Sequence, residues 1–135
     1  MSGLVLIIED DPDIAEVLHY AFQKETFSTR VALTGEEGLH ASLDSKQPPS
    51  IILLDLLLPG MRGLEICRRL RAEPATRNTP ILIITAKVFE ADVLASLQSG
   101  ADDYIFKPFS VREVIARTRS LLHRKGLPAH VELRN

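Results

Sequence analysis

Apolar residues follow two alternating rhythms along this chain. Leu4-Val5-Leu6-Ile7-Ile8 is apolar at every position, as expected of a strand covered on both faces. Ile14, Val17, Leu18, Ala21 and Phe22 then recur at helical spacing, with Pro12 near the helix start, where its missing N–H is harmless. Thr29 to Leu33 reads as a weaker strand and Gly35 to Leu43 as a short helix. Ile51 to Leu54 predicts a third strand, and Leu64 to Leu70 a helix ending before Pro74. Ile81-Leu82-Ile83-Ile84 is the fourth strand; Val93, Leu94 and Leu97 mark a helix ending near Gly100, a residue suited to a left-handed cap. Tyr104-Ile105-Phe106 is the fifth strand, and Val111, Val114, Ile115, Thr118, Leu121 and Leu122 outline a final amphipathic helix. Parallel strands need crossover helices. Five strands alternating with five helices therefore predict an α/β fold, a doubly wound five-stranded parallel sheet flanked by five helices. Gln47 to Ser50 is a loop. Residues 1–124 make the domain, and residues 125–135 read as a tail or truncated linker.

Composition narrows the class. With 135 residues, 45% of them hydrophobic, the chain can build one full core and little more. A net charge of −2 shows no bias toward nucleic acid or membrane. The single cysteine, Cys67, excludes an internal disulfide framework and suits a reducing cytoplasm. No apolar run approaches the ~20 residues of a membrane span, and Met1-Ser2-Gly3 leads into a strand pattern without a signal peptide. The expectation is a soluble cytoplasmic domain that binds neither nucleic acid nor membrane itself.

The polar residues carry the chemistry. Ligands of an open parallel sheet bind beyond the carboxyl ends of its strands. The first strand ends in Glu9-Asp10-Asp11, the third in Asp55, the fourth in Thr85 and the fifth in Lys107. Each alone has an ordinary explanation: a helix cap for Asp11 or Thr85, a snorkelling stem for Lys107. Together they deliver acids, a hydroxyl and an ammonium to one edge. Clustered carboxylates repel, which favours a hard divalent cation such as Mg²⁺ on oxygen ligands. A cation and a lysine beside Asp55 would stabilise an incoming phosphoryl group, and an aspartate can itself accept one as an acyl phosphate. A metal site alone accounts for the acids but not for Lys107.

The stretches "LIIEDDPDI", "IILLDLLLPGMRGLE", "ILIITAK" and "SGADDYIFKPFSVRE" resemble the receiver domain of two-component response regulators, over roughly residues 3 to 124. The resemblance implies Asp55 as phosphoacceptor and Glu9 and Asp10 as the acidic pair, with Asp11 as helix cap. Asp10 and Asp55 would hold Mg²⁺ directly, Glu9 through water, and the Leu57 carbonyl would add a ligand. Thr85 and Lys107 would contact phosphoryl oxygens, Tyr104 would be the aromatic switch, and the Lys107-Pro108 bond would be cis. Such a domain is a signalling module rather than an enzyme, catalysing only its own phosphorylation and dephosphorylation. Its phosphoryl donor is a sensor histidine kinase, expected on the first helix and the loop after Lys107. "GADDYIFKPFSVREVIARTRSLLHR" is most similar to OmpR/PhoB-type transcription regulators, whose DNA-binding domain follows the receiver; here the chain ends at Asn135.

That subfamily also implies a phosphorylation-dependent homodimer through helix 4, strand 5 and helix 5. Asp102, Asp103, Glu113, Arg117 and Arg124 are its expected interface residues, with Asp103 of one chain meeting Arg117 of the other. Val93 departs from the pattern, standing where a basic partner of Glu113 is usual. The remaining features read as structural. His19, His40, His123 and His130 lack metal-ligand spacing, and Cys67 falls on a core-facing helical stripe. Arg62, Arg68, Arg69 and Arg71 read as a solvated helix face, while Arg112, Arg119 and Lys125 add to a basic last helix. Rival classes fit less well. A haloacid-dehalogenase-type phosphatase wants an aspartate at Leu57, and a flavodoxin-like flavin binder would have its phosphate repelled by Glu9-Asp10-Asp11. A degenerate or stand-alone receiver acting as an interaction module is the alternative kept.

Overall fold

The computed structural model describes residues 3–124. The elements run β1 (Leu4–Ile8), α1 (Pro12–Lys24), β2 (Ser28–Ala32), α2 (Gly35–Ser42), β3 (Ile51–Leu54), α3 (Gly63–Ala72), β4 (Ile81–Ala86), a 3-10 turn (Lys87–Phe89), α4 (Glu90–Gln98), β5 (Asp103–Lys107) and α5 (Val111–Arg124). All four strand pairings are parallel, in the order β2-β1-β3-β4-β5. The expected doubly wound five-stranded sheet is therefore present. The tail assigned to residues 125–135 lies outside the described residues.

The continuous apolar runs follow from burial on both faces. Val5, Ile7, Ile51, Leu53, Leu82 and Ile84 pack with Leu18, Phe22, Val114 and Leu121 of α1 and α5. Their alternate neighbours Leu6, Ile8, Ile52, Leu54, Ile81 and Ile83 pack with Ala41, Ile66, Leu70 and Val93 of α2, α3 and α4. Each such side chain removed from water contributes about 1.5–3 kcal/mol. Cys67 belongs to the second core, and burial pushes its thiol up to about 11.

Local chemistry sets the helix ends. Asp11 Oδ1 accepts from the N–H groups of Asp13 (2.9 Å) and Ile14 (3.4 Å), capping α1, with Pro12 at its first position. Helix α4 ends in Gly100 at φ +115°, the left-handed cap expected there.

Three expectations need correction. Leu94 and Val17, counted in the apolar stripes of their helices, are exposed; α4 buries Val93 and Ser96 instead. Strand β4 runs on to Ala86, because Thr85 and Ala86 pair with Phe106 and Lys107 of β5. Arg71 is no solvated arginine. Its side chain is only 17% exposed and is bound to Asp102.

Candidate functional site

The chain leaves β1 for β2 on one side and later enters β3 on the other, so the crevice between the ends of β1 and β3 is the switch point of the sheet. Glu9 and Asp10 follow β1 and Asp55 follows β3. The Asp55 N–H donates to the Ile8 carbonyl at 3.0 Å, extending the ladder by one bond and fixing its side chain beside the acidic pair.

The Asp55 carboxylate, 6% exposed, is held by three donors. Oδ1 accepts from the Thr85 hydroxyl at 2.7 Å and from the Leu57 N–H at 3.2 Å. Oδ2 lies 2.8 Å from Lys107 Nζ. That ammonium also reaches Glu9 Oε1 at 2.9 Å, while the Asp11 N–H donates to Glu9 Oε2 at 3.1 Å. Four strand ends thus meet at one carboxylate, as their polar termini predict.

Glu9 is 3% exposed, and burial raises its pKa to about 7 despite the Lys107 and Asp11 hydrogen bonds that favour its charge. Burial alone would lower Lys107. The hydrogen bonds and charges of Asp55 and Glu9 outweigh it, and the ammonium is held above its ordinary pKa. Glu9, Asp10 and Asp55 each bring a carboxylate oxygen within 4.8 Å of the others. Only Asp10 of the three is exposed. The cluster is thus open on one side and provides hard oxygen donors, which suits a divalent cation.

Tyr104, on β5, is 37% exposed, its ring centroid 5.1 Å from that of Phe106. The Lys107-Pro108 bond is cis, as expected. Gly63 is a site residue that sequence reasoning passed over. A Cβ there would stand 2.6 Å from Leu56 Cα and 2.8 Å from the Asp55 carbonyl oxygen, so only glycine lets the first turn of α3 close on the loop after Asp55. The signal was the glycine inside "PGMRGLE".

The expected interface residues fare differently. Asp102 is not free on the surface: Oδ2 binds Arg71 at 2.9 Å and the Ile81 N–H at 2.8 Å. Arg117 meets Asp103 at 3.0 Å and Glu113 at 3.0 Å within its own chain, so the Asp103–Arg117 pair expected between chains is already closed inside one. Val93 is buried, and Arg124 is exposed at the end of α5.

Curated relatives are similar in sequence, and solved structures share this arrangement of elements. The DNA-binding response regulator MtrA of Mycolicibacterium smegmatis is 43% identical over 124 residues, 92% of this chain and 52% of its own length. The chain spans about half the length of the curated relatives it matches. Among solved structures, a putative response regulator from Chloroflexus aurantiacus superposes with a TM-score of 0.85 at 35% identity, covering 92% of this chain and all of its own. The receiver domain of the sensor histidine kinase PA1611 from Pseudomonas aeruginosa, with a magnesium ion coordinated in its active site cleft, superposes at 0.79 with 26% identity, covering 93% of this chain and 99% of its own. Residues 5–119 match the response regulator receiver domain, and with the site built on its four strand ends the chain belongs to that family.

Proposed function

We propose that Asp55 is the phosphoacceptor of this receiver, with a sensor histidine kinase as donor and a change of conformation as output. The observation that carries the reading is one buried carboxylate reached at once by a lysine ammonium and a threonine hydroxyl.

The proposed step balances simply. An Asp55 carboxylate oxygen forms a bond to phosphorus as the phosphorus–nitrogen bond of the donor phosphohistidine breaks, and the histidine nitrogen leaves with the electron pair. Lys107 and Thr85, both on the Asp55 carboxylate already, pass their hydrogen bonds to the phosphoryl oxygens, where negative charge concentrates. Glu9, Asp10, Asp55 and the Leu57 carbonyl would hold Mg²⁺, which supplies positive charge against the transferring phosphoryl group. Hydrolysis of the acyl phosphate by water, the other half of self-catalysis, closes the cycle.

The kinase is assigned to α1 and the loop after Lys107. Between α1 and α5 lies a groove of about 520 Å³ lined by Val17, Tyr20, Ala21, Val111 and Ile115, and Val17 and Tyr20 are exposed large hydrophobics. Transcription is the assigned output, by likeness to relatives described as DNA-binding. The compartment is taken to be the cytoplasm; among the described residues no helix is long and apolar enough to cross a membrane.

Incubation with acetyl phosphate and Mg²⁺, followed by intact mass, tests the assignment. The parent should gain one phosphate, Asp55→Asn none, and Asp10→Asn should bind Mg²⁺ far more weakly. An acid-stable phosphate on Asp55→Asn would overturn it. No uptake by the parent would favour an interaction module instead.

A further inference from the structure

We infer that Arg71 hinges helix α4 at its C-terminal end and leaves the N-terminal end, next to Thr85, free to swing. The inference rests on the receiver reading only for what drives the swing.

Arg71, in the last turn of α3, bonds with one guanidinium to the turn at 76–79 and to the turn from α4 to β5. Nε donates to the Gly100 carbonyl at 2.9 Å, Nη1 to the carbonyls of Thr79 (2.7 Å) and Thr76 (3.2 Å), and Nη2 to Asp102 at 2.9 Å. The same Asp102 oxygen accepts from Ile81 at the start of β4. The aliphatic stem lies under Gly100, where a Cβ would stand 2.8 Å from Arg71 Cγ. The end of α3, the turn at 76–79, the start of β4 and the turn from α4 to β5 are therefore tied at one point. Removing either charge would strand the other in a half-buried corner.

The end of α4 at this corner is closed by its own backbone as well. Ala101 N–H donates to the Ser96 carbonyl at 2.9 Å and Gly100 N–H to that of Leu97 at 3.2 Å, the two bonds of a Schellman cap. The buried residues of α4, Val93 and Ser96, sit in its middle and C-terminal half.

The other end is different. Neither Ala86 nor Phe89 caps its helix through a side chain, and Val88 is 85% exposed. An ion pair there, Arg62 to Asp92 at 3.5 Å, uses an arginine that is 75% exposed, a contact of little strength. Only Ala86 and the 3-10 turn separate this end from Thr85. A helix fixed at one end and released at the other converts a small shift near Thr85 into rotation about the fixed corner, a hinge motion with two discrete packings. Arg71 is a positioning residue in this device.

Hydrogen exchange on the full chain, with and without Mg²⁺ and beryllofluoride, tests it. In the parent, beryllofluoride should alter exchange across 86–93 and leave the amides of Ser99 to Asp102 unchanged. In Arg71→Gln and in Asp102→Asn, the amides of Ser99 to Asp102 should exchange roughly tenfold faster or more even without ligand. Thr76→Val is the control for general loosening. It removes the buried 2.6 Å hydroxyl bond to the Leu70 carbonyl at the same corner, and should lower the melting temperature without moving those amides. Unchanged protection in Arg71→Gln and Asp102→Asn, or a loaded parent that loosens 99–102 as much as 86–93, would overturn the hinge. Fluorine NMR reports beryllofluoride loading separately. Failure to load counts against Asp55, and the ligand-free arm still decides the hinge.

Discussion

Thr85 and Tyr104 occupy adjacent strands, and the structure places them in opposite senses. The hydroxyl is already on Asp55, yet Tyr104 is exposed. On the proposed switch, occupancy of the phosphoryl position would supply the bias that draws Tyr104 in, since Thr85 on Asp55 by itself leaves Tyr104 exposed. On the proposed reading, Leu57 would govern a second property, the lifetime of the phosphoryl group. Its N–H binds Asp55 and its side chain is 57% exposed, where an aliphatic group has no means of orienting an attacking water. Self-hydrolysis should be slow, and Leu57→Asn should lose phosphate severalfold faster when decay of the phosphorylated mass is followed; an equal or slower decay would count against this role. Cys67 offers a control of burial. A pKa moved from 9.0 to about 11 leaves roughly a hundredfold less thiolate at any pH below the ordinary value, so iodoacetamide at pH 8 should label the unfolded chain and spare the native one. Residues of the site were legible where a polar side chain ends an apolar run, as at Asp55 and Thr85. Arg71 was not, since its partner Asp102 lies 31 residues away and nothing local distinguishes it from Arg68 or Arg69.

Whole elements were more legible than their edges. Runs such as Leu4–Ile8 are apolar because both faces of the sheet are covered, a property visible in any short window. Strand ends depend on the neighbour: β4 gains Thr85 and Ala86 only because β5 supplies Phe106 and Lys107 opposite them. Helical stripes mislead in the same way, for Val17 and Leu94 lie at the margin of an apolar face that the core does not fill. A close joint between elements is α3 on the loop after β3, where Gly63 N–H donates to the Leu56 carbonyl at 3.0 Å. Gly63→Ala forces a methyl against backbone, which has no rotamer to escape into. It should cost about 1–3 kcal/mol in urea unfolding and slow phosphorylation by shifting Asp55. Phe22→Ala, in the core between α1 and the sheet and edge-on to Phe27, should cost about 3–5 kcal/mol while leaving the site geometry intact. A variant at Gly63 with parental phosphorylation and stability would show that the loop yields more readily than its contacts imply.

At the scale of the whole molecule the open matter is association through α4, β5 and α5. The charges expected to join two chains are paired within one, Arg117 with both Asp103 and Glu113. A two-fold dimer could exchange the Asp103–Arg117 pair between chains, forming it twice, but each exchange breaks a bond of equal kind, and exposed pairs contribute only ~0–1 kcal/mol. Asp102 has no part in such an exchange, because Arg71 and the Ile81 N–H hold it. Val93 is buried in the second core and offers Glu113 no base. Any such dimer would then draw on apolar area, and in α4 and β5 Leu94 and Tyr104 are exposed. Turning Tyr104 inward on phosphorylation would reshape that surface, so dimerisation should follow the acyl phosphate as a shift between two packings rather than as a new set of salt bridges. Sedimentation should find a monomer alone and a weak, concentration-dependent dimer with Mg²⁺ and beryllofluoride. Arg117→Glu should weaken that dimer by placing like charge beside Asp103 and Glu113, and Leu94→Asp should weaken it more, because area and not charge supplies the affinity. A monomer in every condition at high concentration would remove the dimer from the mechanism, and a dimer indifferent to Arg117→Glu would place it on another face.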